Sequence, residues 1–115
     1  MKQITIILCF ALFQIGFSQI QTGKASFYAD KFEGRQTASG EIYKHNKATA
    51  AHRKLDFGTK VRVTNLANNK SVVVVINDRG PFIRGRIIDL SKSAAQVLGF
   101  VGNGVTDVKI EVLGN

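Results

Sequence analysis

Along most of the chain, apolar residues alternate with polar ones and do not recur at helical spacing. Lys60–Asn65 runs Lys, Val, Arg, Val, Thr, Asn, which predicts a half-exposed strand with Val61 and Val63 turned inward. Leu66–Lys70 carries Asn68-Asn69, residues that tolerate left-handed turn geometry, and closes a hairpin onto Ser71–Ile76. Val72 to Ile76 are all β-branched, a run that predicts a strand buried on both faces. Gly23–Ala29, Ala48–His52, Arg86–Leu90 and Val105–Leu113 read as further strands, with Val108, Ile110 and Val112 on one side of the last. One segment has helical spacing. Ser91 suits an N-cap, Lys92–Leu98 places Ala94, Ala95 and Leu98 on one face, and Gly99 is the stop. Turns fall at Asp56–Thr59 and Gly102–Gly104. Asp30–Asn46 is polar and aperiodic, a loop long enough to suggest function. The pattern as a whole predicts a small β-barrel with one helix.

The start of the chain changes this picture only by subtraction. Lys2 precedes a mostly apolar Ile4–Phe17, and Gly16 and Ser18 are small residues at the −3 and −1 positions of a cleavage before Gln19. Residues 1–18 are therefore expected to be a secretory signal peptide, leaving residues 19–115 as one domain with no stable membrane span. Cys9, the sole cysteine, follows Leu8 inside the apolar run and does not suit a lipoprotein site. The mature domain is expected to lack disulfides, thiolate metal sites and a cysteine nucleophile. It would rely on its apolar core, as small monomeric domains can. The formal charge of +8 favours an anionic polymer outside the cell as partner. Nucleic acid is disfavoured, since no basic block is interleaved with aromatics and no zinc-finger or helix-turn-helix pattern occurs.

Few ionisable side chains stand where a rigid scaffold could aim them. Asp78 ends the β-branched strand ahead of Arg79-Gly80-Pro81, and Asp89 ends the next. Glu41 follows Ser39-Gly40 in the long loop, and His52 closes a short strand. Such groups meeting in one groove could act as general acid and base on a glycosidic bond. Each also has a plainer reading. Asp78 could accept turn N–H groups or pair with Arg79, Asp89 could serve the helix start, His52 could be a satisfied core histidine, and Glu41 a solvated loop carboxylate. His45 reads as surface. No nucleophile elbow, HExxH motif or glycine-rich phosphate loop is present, so serine-hydrolase, metal and cofactor chemistry have no support.

The segments GKASFYADKFEGRQTASGEIY, TAAHRKLDFGTKVRVTNLANNKSVVVVINDRGPF and GRIIDLSKSAAQVLG resemble, in order and spacing, the rare lipoprotein A (RlpA) family of septal ring lytic transglycosylases. The resemblance spans nearly all of Gly23–Leu113. It implies a six-stranded double-psi β-barrel of the kind shared with expansins and barwin. It further implies an exported enzyme, periplasmic or wall-associated, that cleaves the MurNAc–GlcNAc β-1,4 bond of peptidoglycan, preferentially in peptide-poor strands, and leaves 1,6-anhydro ends. Matched position by position, the family's glutamate falls on Glu41, its histidine on His52 and its aspartate on Asp78. Asp89 matches the Asp-Leu-Ser of expansin-like barrels. On this basis Asp78 is expected as general acid, Glu41 as its helper, His52 as an orienting or sugar-binding group and Asp89 in reserve. Tyr28, Phe32, Tyr43 and Phe82 are candidate sugar-stacking rings, with Arg79 a further contact. Lys44 stands where some relatives carry a second acid, and no SPOR domain is recognisable, so septal targeting is not implied. A non-catalytic, expansin-like wall-binding module is the alternative.

Overall fold

A computed structural model describes residues 19–115; the expected signal segment, with Cys9, lies outside the described residues. Six strands close into a barrel: β1 (Ile20–Phe27), β2 (Thr49–Ala51), β3 (Lys60–Asn65), β4 (Ser71–Asp78), β5 (Arg86–Leu90) and β6 (Thr106–Gly114), with one helix, α1 (Lys92–Leu98). Around the barrel the order is β1-β5-β2-β4-β3-β6, and β6 returns to β1. The β1–β5 and β2–β4 pairs are parallel and the rest antiparallel, so this is a mixed barrel with crossing connections. Closure removes every free sheet edge.

Alternation decides what fills the interior. Val61, Val63, Val74, Ile76, Ile88, Leu90, Val108 and Ile110 point inward and pack with Ala25 and Ala50. The predicted bounds of β3, β5 and α1 hold residue for residue, as does the inward placing of Val61 and Val63. β4 differs from expectation. Val74 and Ile76 are fully buried but Val73 is 43% exposed, so the β-branched run is not sandwiched between two layers. A barrel of this size has one interior, and the outer face of β4 is covered only in part.

The helix caps one end. Ser91 Oγ accepts from Ala94 N at 3.4 Å, and Gly99, at φ +77°, takes the left-handed turn that stops the helix. Leu98, Ala94 and Ala95 join the core. The freed Leu98 carbonyl accepts from Asn65 Nδ2 (2.8 Å) and Asn68 Nδ2 (3.0 Å). Asn65 is 2% exposed, and its Oδ1 also accepts from Ala67 N and Thr106 Oγ1. One amide thus ties β3, the hairpin turn, β6 and α1 together. Asn69 in that turn has φ +62°, as its sequence led us to expect.

Residues 30–46 form a long excursion that folds back on the outside of the barrel. A 3-10 turn (Asp30–Phe32) and an isolated bridge, Gln36 to Ile42, shape it. Tyr28, Tyr43 and Ala51, with Phe32 against them, make a second small apolar cluster beneath it. The buried tie at Asn65 yields a stability prediction. Asn65→Ala strands the Ala67 N–H and removes one donor from Leu98. We expect a loss of about 2–4 kcal/mol in urea unfolding, with an unchanged far-ultraviolet spectrum of the folded protein.

Candidate active site

Strand register builds the site. Ala51 on β2 is paired with Asp89 of β5 on one side and with Asp78 of β4 on the other. Asp89 is in turn paired with Ser26 of β1. Ser26, Asp89, Ala51 and Asp78 therefore form one rung across four strands, and residues directly opposite one another face the same way. At about 4.8 Å per strand, the two aspartates stand roughly 10 Å apart at Cα, with only the Ala51 methyl between them. All three line a recess of about 350 Å³ on the outer face of the barrel. Its far wall is the 30–46 excursion, through Phe32, Arg35 and Thr37, and its rim is Gly80-Pro81-Phe82.

The two carboxylates have different environments. Asp78 is an acceptor on both oxygens. Oδ1 takes Ala38 N at 2.8 Å and Arg79 N at 2.9 Å, and Oδ2 takes the Tyr28 hydroxyl at 2.5 Å. Burial, then the bond to Asp78, pushes the Tyr28 phenol well above its ordinary range, so it keeps its proton and donates. Among the described residues Asp89 has a single donor, Ser26 Oγ at 3.2 Å. Burial pushes its carboxyl up to about 6. Ser26 and Arg86 pull against that rise, and the neighbouring Asp78 charge adds to it. One recess thus holds a fully engaged carboxylate and another that keeps its proton into mildly acidic solution.

The other expected residues fall in different places. Tyr43 is 2% exposed and stacks on Tyr28 at 4.1 Å between centroids, so its ring faces are not open to a sugar. Its hydroxyl meets His45 Nδ1 at 2.6 Å and accepts from Lys92 N at 3.1 Å. Tyr43 braces Tyr28, which itself is spent on Asp78. His45, expected to stand free at the surface, is drawn into this network by Tyr43 and by Asp30. His52 does not face the recess. Its Nδ1 accepts from Lys54 N and Leu55 N, both at 3.1 Å, and its Nε2–H donates to Gln21 Oε1 at 3.0 Å. Its ring lines a separate hollow with Gln19 and Ile110, and burial, then Arg53, Arg79 and Lys54, keeps it neutral. It shapes the 52–55 turn and has no access to a sugar in the trench. Into that turn goes Arg79, whose Nη1 donates to His52 O (3.1 Å) and Leu55 O (2.8 Å) while its guanidinium lies 4.1 Å over Phe57. Arg79 is committed to the backbone behind Asp78, which leaves little of it for substrate.

Glu41 is exposed and lines an adjoining recess with Asn77, while the segment before it grips the aspartate strand through Ala38 N and through Ser39 N to Asn77 O at 3.2 Å. Phe82 is 80% exposed at the rim. Arg53 steadies that rim by donating to Pro81 O and Arg86 O, both at 2.8 Å. Sequence reasoning missed Ser26, Ala51 and Arg35. All three lie inside the segments quoted above, but Ala51 carries no chemical signal, because its contribution is to be small. Among the described residues, no group of three or more His, Cys, Asp or Glu could hold a metal, and no helix is long and apolar enough to cross a membrane.

Comparison with known proteins identifies the family and the fold. A family model described as lytic transglycolase matches residues 20–110. The "Probable endolytic peptidoglycan transglycosylase RlpA" of a Nostoc species is 64% identical over 94 residues, covering 80% of this chain and 25% of that protein. The "Endolytic peptidoglycan transglycosylase RlpA" of Pasteurella multocida is 56% identical over 91 residues, covering 79% and 31%. The chain thus spans about a quarter to a third of the length of these relatives. Among solved structures, the Streptomyces papain inhibitor matches with a TM-score of 0.66 at 24% identity, over 82% of this chain and 94% of that one. An apo expansin from Clavibacter michiganensis matches at 0.62 and 18%, over 84% and 51%. These structures support the double-psi β-barrel fold and nothing finer. With the family model covering most of the chain, the protein belongs to the lytic transglycolase family of double-psi β-barrel domains.

Proposed function

We propose that this domain cleaves the β-1,4 bond between MurNAc and GlcNAc in peptidoglycan without water, leaving a 1,6-anhydro end. The observation that carries the reading is the pair of aspartates held across Ala51, with Asp89 raised to about 6. The Asp89 carboxyl gives its proton to the bridging oxygen as the C1–O bond breaks, and the GlcNAc unit leaves with a free 4-hydroxyl. The Asp78 carboxylate, fixed by its three donors, faces the positive charge that develops at C1. The muramyl 6-hydroxyl then closes on C1, and its proton returns to Asp89, which restores the starting state. This exchanges the roles expected from sequence. Asp78 becomes the electrostatic partner and Asp89 the acid, because Asp78 accepts on both oxygens while burial raises Asp89 to about 6, so that it holds its proton in mildly acidic solution. Phe82 offers the stacking surface, and Glu41 borders the next position along the strand. The reading carries export with it, to the periplasm or cell wall where the substrate lies.

The reading is tested on peptide-free glycan strands with residues 19–115 as enzyme and mass spectrometry as readout. We expect 1,6-anhydromuramyl ends from the wild type, and losses of roughly 10²- to 10⁴-fold in Asp89→Asn and Asp78→Asn. Reducing ends in their place would make the protein a hydrolase. Binding with no cleavage would make it an expansin-like module. The rate should fall as pH rises through about 6, since Asp89 must be protonated to act; a rate still climbing at pH 8 would remove Asp89 from the role.

Stability should move the opposite way on substitution. With Asp89 at about 6 when folded and 3.8 as a model group, the native state binds the proton more tightly. That contribution is present at low pH and is lost as pH rises from about 4 to 6. Asp89→Asn should therefore gain on the order of 2–3 kcal/mol at pH 7 in denaturant melts, with a flatter pH dependence. Ala51→Val puts branched bulk between the carboxylates. It should cut cleavage at least tenfold for a stability cost of about 1–3 kcal/mol.

A further inference from the structure

Next to the aspartate trench lies a second recess, of about 430 Å³, whose lining is charged. Lys44, Lys47 and Glu41 line it together with Thr49 and Asn77. The two lysines are brought together by a turn in which Lys47 N donates to Lys44 O at 3.2 Å, so their Cα atoms lie within about 7 Å. The turn is pinned from outside. Ser93 N donates to His45 O (2.9 Å), Ser93 Oγ to Lys47 O (3.2 Å), and His45 N to Glu33 Oε1 (3.0 Å). Neither ammonium enters an ion pair among the described residues. Two cations against the one Glu41 carboxylate leave the recess net positive.

A separate observation points to a ligand here. Asn77 is 4% exposed, and its Oδ1 has no hydrogen-bond partner among the described residues. Buried amides are almost always paired, and a half-turn about χ2 exchanges the two ends of this one. A sugar hydroxyl or acetamido group supplies either partner. The recess also continues the trench. Thr49 in one and Ala51 in the other sit two residues apart on the same face of β2, about 7 Å, and Asn77 directly precedes Asp78 on β4. A glycan lying over Asp78 and Asp89 would set an adjacent ring above the lysines.

We propose that this recess binds a free carboxylate carried by that adjacent sugar, through Lys44 and Lys47, with Asn77 taking a neighbouring polar group. In peptidoglycan the group of this chemistry is the lactyl carboxylate of a muramyl residue bearing no peptide. The inference rests on the glycan-cleaving reading above and assigns it a specificity site. The lysines select for the charge, and the turn that holds them spares the strand the cost of ordering them.

The test uses purified peptide-free glycan strands, untreated or with their carboxyls converted to neutral methylamides, and measures binding by calorimetry and cleavage by mass spectrometry. For the wild type, amidation should weaken binding about tenfold, and added salt should weaken binding of untreated strands only. Lys44→Gln with Lys47→Gln should bind both strands alike, at the level of the wild type on amidated strands. Equal binding of both strands by the wild type, or discrimination that survives in the double variant, overturns the proposal while leaving cleavage intact. Absence of any binding or cleavage by the wild type overturns the glycan reading itself, and this site with it.

Discussion

A single rung of hydrogen-bonded strands governs this molecule. Ser26, Asp89, Ala51 and Asp78 come from four strands that are distant in sequence, and only closure of the barrel sets them abreast. Backbone ladders hold the rung, so the distance between the carboxylates is fixed by strand spacing and not by side-chain choice. Between them the chain has a methyl group, the smallest side chain that still keeps the strand from glycine's freedom. Placing two acids this near one another is unfavourable for the fold. The barrel core, shut off on the opposite face of the same strands, supplies the stability that tolerates it.

Support for the rung is layered outward. Tyr28 holds Asp78, Tyr43 stacks on Tyr28, and His45 with Lys92 fixes the Tyr43 hydroxyl. On the other flank, Arg79 and His52 lock the backbone behind Asp78. Several side chains that look catalytic by type are therefore brackets. They hold Asp78 still, which is what catalysis by preorganised charge would require on the reading proposed above.

How much of this could be read from sequence differs by level. Strands β3 and β5 and the helix were legible to the residue, because alternation, Asn-rich turns, a serine cap and a terminal glycine act locally. The β-branched run was over-read: Val73 shows that such a run also fits a strand with one face partly in solvent. In the site, Asp78 and Asp89 were named from their positions at strand ends, and Phe82 as an aromatic ring that could stack on a sugar. The division of labour proposed for the two aspartates was not legible, since it rests on which carboxyl the cross-strand neighbours satisfy. His52, Tyr43 and Arg79 are as polar or aromatic as any binding residue, and sequence cannot say that their functional atoms turn away. Ala51 was invisible because its contribution is an absence of bulk.

The excursion from Asp30 to Asn46 carries its own small cluster of rings and rests on the barrel without entering it. It supplies one wall of the trench and, with Lys47 just beyond its end, the lysine pair of the neighbouring recess. Ala38, Ser39 and Tyr43 of this flap hold the strands beneath, but its exposed positions, Glu41 and Lys44 among them, can change without disturbing that grip. On the reading proposed above, exchanges at those positions would retune which decoration of the glycan is preferred while the rung below is inherited unchanged.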